Sequence, residues 1–176
     1  NNMKNKLENP NRIAELNPKD TLERIGLKDN DTFCDIGAGT GIFTFAAAEI
    51  TNGKVYAVEI SEEMLTVLKT RANNMNAVNV AIVNGVKMMP ELSCKVILLC
   101  TVLHEVTAVP EMLNDIRRIL VKDGILSIIE FHKRQTPMGP PIEHRLDSTQ
   151  LEEIMRNYGL YKINQFELGE NFYCSV

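Results

Sequence analysis

The 176 residues suffice for one domain with a buried core and leave little room for a second. With 44% hydrophobic and 24% charged residues, a net charge of −4, and Lys/Arg grouped only in pairs such as Arg117-Arg118 and Lys133-Arg134, the composition is that of a globular protein and argues against a nucleic-acid partner. No apolar run approaches about 18 residues, so no membrane span is expected, and Cys34, Cys94, Cys100 and Cys174 are too scattered for a zinc or redox pair.

Residues 1–9 are polar and Asn-rich and read as a mobile tail without the apolar core of a signal peptide, with docking over the active site as the alternative. The cysteines read as small core hydrophobes in a reducing compartment, which points to a cytoplasmic enzyme. Asn17-Pro18, followed by Leu22, Ile25 and Gly26, predicts a short helix with Asn as cap, Pro at its first position and Gly at its exit. Residues 1–26 are thus expected to be a tail and one helix ahead of the first strand.

Thr32-Phe33-Cys34-Asp35-Ile36 predicts a buried strand, and Gly37, Gly39 and Gly41 force a tight turn into an Ala-rich helix from Ile42 to Ile50. Glycines at such a handover let a ligand approach the main chain, where it faces the unpaired N–H groups and positive end of the helix. A dinucleotide fingerprint would put its third glycine at position 42, which here is Ile42. Asp35, at the carboxyl end of the strand, repels a pyrophosphate and attracts an ammonium, so a nucleoside with a cationic amino-acid arm fits better.

Lys54 to Ile60 predicts a second buried strand with Glu59 at its end, about 20 residues beyond the glycines, where a carboxylate can accept hydrogen bonds from both hydroxyls of a ribose. Ser61 caps a helix with Met64, Leu65, Leu68, Ala72 and Met75 at helical spacing. Val78 to Val83 form a third strand ending at Asn84-Gly85, and Lys87 to Ser93 a loop or short turn. Lys95 to Thr101 is a continuous apolar run of the central parallel kind. Pro110 opens a helix with Leu113, Ile116 and Ile119 on one face, Gly124 follows it, and Ile125 to Phe131 is a fifth strand. Pro137, Gly139, Pro140 and Pro141 make 133–146 a loop, read as a lid over the carboxyl edge of the sheet, with a plain connector as the alternative. Asp147 or Ser148 caps a last helix reaching Tyr158, and Tyr161–Leu168 and Asn171–Val176 close the chain as a hairpin around Gly169.

Asp35-x-Gly37-x-Gly39-x-Gly41 at a strand end, Glu59-Ile60-Ser61-x-x-Met64-Leu65 after the second strand, and Leu103-His104-Glu105 after the fourth together resemble the class I S-adenosylmethionine (SAM) dependent methyltransferases, small-molecule type. The resemblance covers nearly the whole chain after residue 17. It implies an α/β fold, a doubly wound, mostly parallel seven-stranded sheet with an antiparallel C-terminal hairpin strand and helices on both faces. It also implies SAM as cofactor, with S-adenosylhomocysteine as product. Asp35 and the turn Gly37, Ala38, Gly39, Thr40 and Gly41 would then hold the methionyl group and Glu59 the ribose. Ile60, Met64, Asn84 and the backbone of Gly85 and Val86 would face the adenine, while Cys100 and Thr101 would pass near the methionyl portion. Two positions depart from the family: Val86, often Asp, and Lys95, usually Asp.

Methyl transfer from a sulfonium needs alignment and, for some acceptors, removal of a proton. His104, Glu105 and His132 are the candidate bases near the carboxyl ends of the fourth and fifth strands, with Arg145 as a candidate contact to an anionic acceptor. The three histidines lack metal-ligand spacing, so no metal is expected. The Asn/Asp-Pro-Pro-Tyr segment of nucleic-acid amino methyltransferases is replaced by Cys100-Thr101-Val102-Leu103, which leaves a small-molecule acceptor; a homodimer remains open. A non-catalytic SAM-binding regulatory module and a nicotinamide-dependent oxidoreductase are the alternative readings.

Overall fold

The structure, a computed structural model, describes residues 2–176. Three helices, α1 (Asn2–Leu7), α2 (Pro10–Leu16) and α3 (Pro18–Ile25), precede the sheet. The alternating part runs β1 (Phe33–Ile36), α4 (Ile42–Ile50), β2 (Val55–Glu59), α5 (Glu62–Asn74), β3 (Val80–Asn84), β4 (Cys94–Cys100), α6 (Val109–Ile119) and β5 (Leu120–Phe131). Then come α7 (Ser148–Arg156), β6 (Gln165–Leu168) and β7 (Phe172–Ser175).

The seven strands are ordered β3-β2-β1-β4-β5-β7-β6, and β7 alone runs against the direction of the other six. The order reverses between β1 and β4. Helices leave these two strands toward opposite sides, so their carboxyl ends open a crevice at the switch point. The register Ile36↔Leu99 brings the glycine turn beside Cys100 and Thr101.

Alternation along β4 shows why the sheet is covered twice: Ile97 and Leu99 belong to the cluster of Leu113, Ile116 and Leu151, and Val96 and Leu98 to that of Leu22, Phe33 and Phe43. Leu68 of α5 packs with Ala57 and Phe45 in a third cluster. Among the described residues no helix is long and apolar enough to cross a membrane, and no group of three His, Cys, Asp or Glu is placed to hold a metal. All four cysteines are free.

The N-terminal segment differs from expectation. Residues 2–16 are two helices, with Asn9 accepting from the Asn11 N–H at 2.9 Å and Pro10 opening α2. Asn17 does not cap α3 with its side chain; its left-handed backbone ends α2, its N–H reaching Ile13. Met75, expected on the apolar face of α5, is exposed at the helix end. Strand β5 starts at Leu120, with an irregularity between Cys94 and Val96 before even pairing resumes at Ile125. The last hairpin is shorter than expected, since Tyr161 and Ile163 lie exposed outside β6.

Candidate functional site

At the switch point lies a cleft of about 620 Å³. Asp35, the turn from Gly37 to Thr40, Glu59, Ile60, Met64, Val86, Cys100, Thr101 and Glu105 all line it, drawn together from the ends of β1, β2, β3 and β4. A second cavity of about 540 Å³ lies at the opposite edge, between the start of β5 and α7, with Leu120, Ile125, Leu151 and Met155 in its walls. Its glycines, Gly124 and Gly159, do not form a strand-to-helix turn, and it lies away from the carboxyl ends of β1 and β2, so the first cleft is the candidate site.

Gly37, Gly39 and Gly41 all have left-handed backbone, at φ 72°, 58° and 89°. Gly41 caps α4, and a Cβ there would strike Phe45 and Leu68. Two turn N–H groups, those of Gly37 and Ala38, donate to Val58 at 2.8 and 3.0 Å, which ties the turn to β2. The Gly39 N–H instead donates to Glu59 Oε1 at 2.9 Å, while Glu59 Oε2 accepts from the N–H groups of Ile60 and Ser61 at 2.7 and 2.9 Å. Three of the roughly four lone-pair sites of the carboxylate are therefore used, and a ribose diol would share or displace one of them.

Asp35 is fully buried, and Thr44 Oγ1 donates to it at 2.8 Å. Burial pushes its carboxyl up to about 7, the Thr44 hydrogen bond working against this and the charge of Glu59 adding to it. A cation placed next to it would restore the ionised form. Burial also pushes the Cys100 thiol up to about 12, which keeps it neutral and inert.

The candidate bases divide. Glu105 lies in the cleft wall with its side chain exposed, but the buried His104 ring is not part of the lining. His104 Nδ1 is 2.7 Å from Glu130 Oε2, the His104 backbone N–H donates to Glu130 Oε1 at 3.2 Å, and Nε2 lies 3.7 Å from Glu105. Burial opposes its protonation, yet the hydrogen bond and charge of Glu130, with Glu105 behind them, hold its pKa above the ordinary histidine value. His132 lies outside the cleft, its ring bonded to Glu167 and packed on Tyr173. Gly41, Asn84 and Gly85 flank the cleft without lining it.

No residue of the 133–146 loop lines the cleft. Arg145, expected to meet an anionic acceptor, is buried and donates to the carbonyls of Pro140, His132, Arg134 and Met138. These four hydrogen bonds hold the loop together, which corrects the expected contact to an acceptor.

The cleft is roofed by the N-terminal segment, so residues 2–9 follow the docking alternative, while Arg12 was not singled out by the sequence. Met3, Leu7 and Arg12 of the N-terminal helices line it. Glu8 binds them down, pairing with Arg71 of α5 and accepting from Thr40 Oγ1 at 2.9 Å, while Arg71 also donates to the Thr40 carbonyl at 3.0 Å. Leu7 sits over the turn so closely that a Cβ on Gly39 would come within 2.9 Å of its Cδ1. No local sequence pattern marks these contacts, because each joins residues at least 31 apart in the chain.

Residues 27–170 match the family described as "Methyltransferase domain", and the chain belongs to it. A demethylmenaquinone methyltransferase of Tropheryma whipplei is 30% identical over 112 residues, covering 63% of this chain and 46% of the relative. A probable cobalt-precorrin-6B C(15)-methyltransferase (decarboxylating) of Methanosarcina mazei is 38% identical over 66 residues, covering 37% of this chain and 36% of the relative. The chain thus spans less than half the length of either. The crystal structure of a SAM dependent methyltransferase from Aquifex aeolicus superposes with a TM-score of 0.91 at 24% identity, covering 98% of this chain and 94% of that one, so the fold is that of this class throughout.

Proposed function

We propose that the chain binds SAM in the cleft at the switch point and transfers its methyl group to a small organic acceptor. The observation that carries this is the pairing of a buried Asp35 beside the glycine turn with Glu59 bound to that turn through the Gly39 N–H. One carboxylate suits an ammonium and the other a ribose, and neither suits a pyrophosphate. When bound, SAM supplies an electrophilic methyl on a sulfonium. The chain's part is to hold the arm at Asp35 and the Gly37–Gly41 turn, the ribose at Glu59, and the base against Ile60, Met64 and Val86. It also has to exclude water with Met3 and Leu7 and to align the acceptor beyond Thr101. Glu105, the candidate base that lines the cleft, would take the proton from an acceptor that loses one as it is methylated.

Relatives named for methylating demethylmenaquinone and cobalt-precorrin support a small-molecule acceptor, and free buried cysteines support a reducing, cytoplasmic setting. Calorimetric titration with S-adenosylhomocysteine and, separately, with NAD tests the cofactor. Binding of the first and not the second is expected, and the reverse would overturn the reading. Transfer of labelled methyl from SAM into extracted metabolites then separates an enzyme from a binding module.

A further inference from the structure

Two cationic side chains line the cleft, Lys87 and Arg12, and they differ in their partners. Lys87 Nζ lies 2.9 Å from Asp115 and 3.0 Å from Glu111, so its charge is spent. Arg12 has no carboxylate within ion-pair distance among the described residues. Among the described residues it donates to the Leu7 carbonyl at 3.3 Å and to Thr101 Oγ1 at 3.5 Å, two long bonds to neutral oxygens for a group with five donors. Thr101 itself is held at φ 53°, a left-handed conformation that a β-branched residue rarely adopts. This conformation stands where β4 opens into the cleft and where its hydroxyl meets Arg12.

The other charged residues of the lining are all acidic: Asp35, Glu59, Glu105, Glu111 and Asp115. An anion entering such a cleft is repelled everywhere except beside Arg12. The position of that guanidinium is specific as well. Thr101 follows β4, the direct neighbour of β1, so Arg12, bonded to Thr101, and Asp35, near the end of β1, face the same cleft from neighbouring elements. Opposite charges lining one cleft complement the ammonium and carboxylate of one α-amino acid.

We infer that Arg12, presented by α2 and steered by Thr101, is the receptor for the carboxylate of the cofactor's amino-acid arm, so that the N-terminal helices complete the cofactor site. The inference rests on the cofactor reading proposed above and adds to it a positioning residue from outside the sheet. It gives the Glu8–Arg71–Thr40 contacts a purpose: they fix α1 against the glycine turn and so hold Arg12 at the correct depth.

The test compares two ligands on three proteins by calorimetry: S-adenosylhomocysteine and its decarboxylated analogue, in which the arm ends as a propylamine, on the natural chain, Arg12→Met and Arg12→Lys. The natural chain should prefer the carboxylate-bearing ligand by about tenfold or more, the scale of a charge-assisted hydrogen bond. Arg12→Met should lose that preference while binding the analogue as before, and Arg12→Lys should keep part of it. The unchanged affinity for the analogue shows that the variant is folded. An equal preference in the natural chain and Arg12→Met overturns the inference and leaves the cofactor reading intact. Failure of the natural chain to bind either ligand overturns both.

Discussion

The burial of Asp35 makes a quantitative demand on the pH dependence of cofactor binding. Its carboxyl is pushed from an ordinary 3.8 up to about 7. A folded-state pKa raised in this way means that the proton stabilises the ligand-free fold below the ordinary value, and that this stabilisation fades as pH rises through about 7. The cost of ionising the side chain inside the fold is on the order of 4 kcal/mol by the linkage relation. An ammonium placed beside Asp35 reverses the preference, so binding drives the proton off. Titration with S-adenosylhomocysteine near pH 8 and near pH 6, each in two buffers of different ionisation heat, measures both terms. Affinity should fall by about tenfold for each pH unit below 7, with about half a proton released per ligand near pH 7 and close to one near pH 6. Asp35→Asn keeps an acceptor for Thr44 and removes the charge. It should make the ligand-free chain more stable at pH 8, weaken the ligand there, and abolish the proton release. Affinity that stays flat from pH 8 to pH 6, or proton uptake on binding, would refute the placement of the ammonium at Asp35.

Glu59→Ala removes the acceptor of the Gly39 N–H together with the ribose contact and should weaken S-adenosylhomocysteine by roughly 1.5–3 kcal/mol, read by calorimetry; unchanged affinity would sink the ribose role. Glu8→Gln leaves Arg71 without its partner and should speed dissociation of the same ligand several-fold in stopped-flow, whereas an unaltered rate means that the N-terminal helices do not control exit. His104 has a raised pKa, so its pairing with Glu130 contributes stability that is complete below the ordinary value of about 6.5 and is lost as pH rises through the folded value. NMR titration of the ring should show a midpoint above 6.5 in the natural chain and a lower one in Glu130→Gln; a midpoint unmoved by that change would remove Glu130 as the cause.

The sheet was legible because its strands announce themselves locally. Phe33 to Ile36, Val55 to Glu59 and Val96 to Leu99 are apolar runs bounded by Gly and polar turns, and central parallel strands buried on both faces need nothing more. Where a strand depends on its partner, the reading slipped. Tyr161 and Ile163 have strand chemistry but lie exposed outside β6, Ile163 keeping only the end bond from its N–H to Val176, and β5 gained residues 120–124 because β4 offers Cys94 to Leu120. Helix α2 was within reach, since Asn9-Pro10 repeats the cap-and-proline signal seen at Asn17-Pro18, one helix earlier. An Asn-rich composition masked it.

The site divides along the same line. Asp35, the glycines and Glu59 are adjacent to strand ends, and a strand end is a local property, so sequence spacing alone brings them to one crevice. Arg12, Glu8 and Leu7 reach that crevice only because a polar segment folds back over it, and the charge that makes the return favourable is long-range: a cleft lined by five carboxylates attracts a guanidinium from wherever the chain can supply one. The short α1 helix buries no residue of its own and contributes little by propensity; it is held through Glu8 on Arg71 and Thr40 and through Leu7 over Gly39. The same acidity that suits the cleft to a cationic ligand therefore determines which part of the chain closes it. Proteolytic cleavage within residues 2–9 should accordingly be slowed by a ligand carrying both ammonium and carboxylate, and less so by one carrying the ammonium alone. Equal protection by the two would break the link between the closing segment and the charge of the arm.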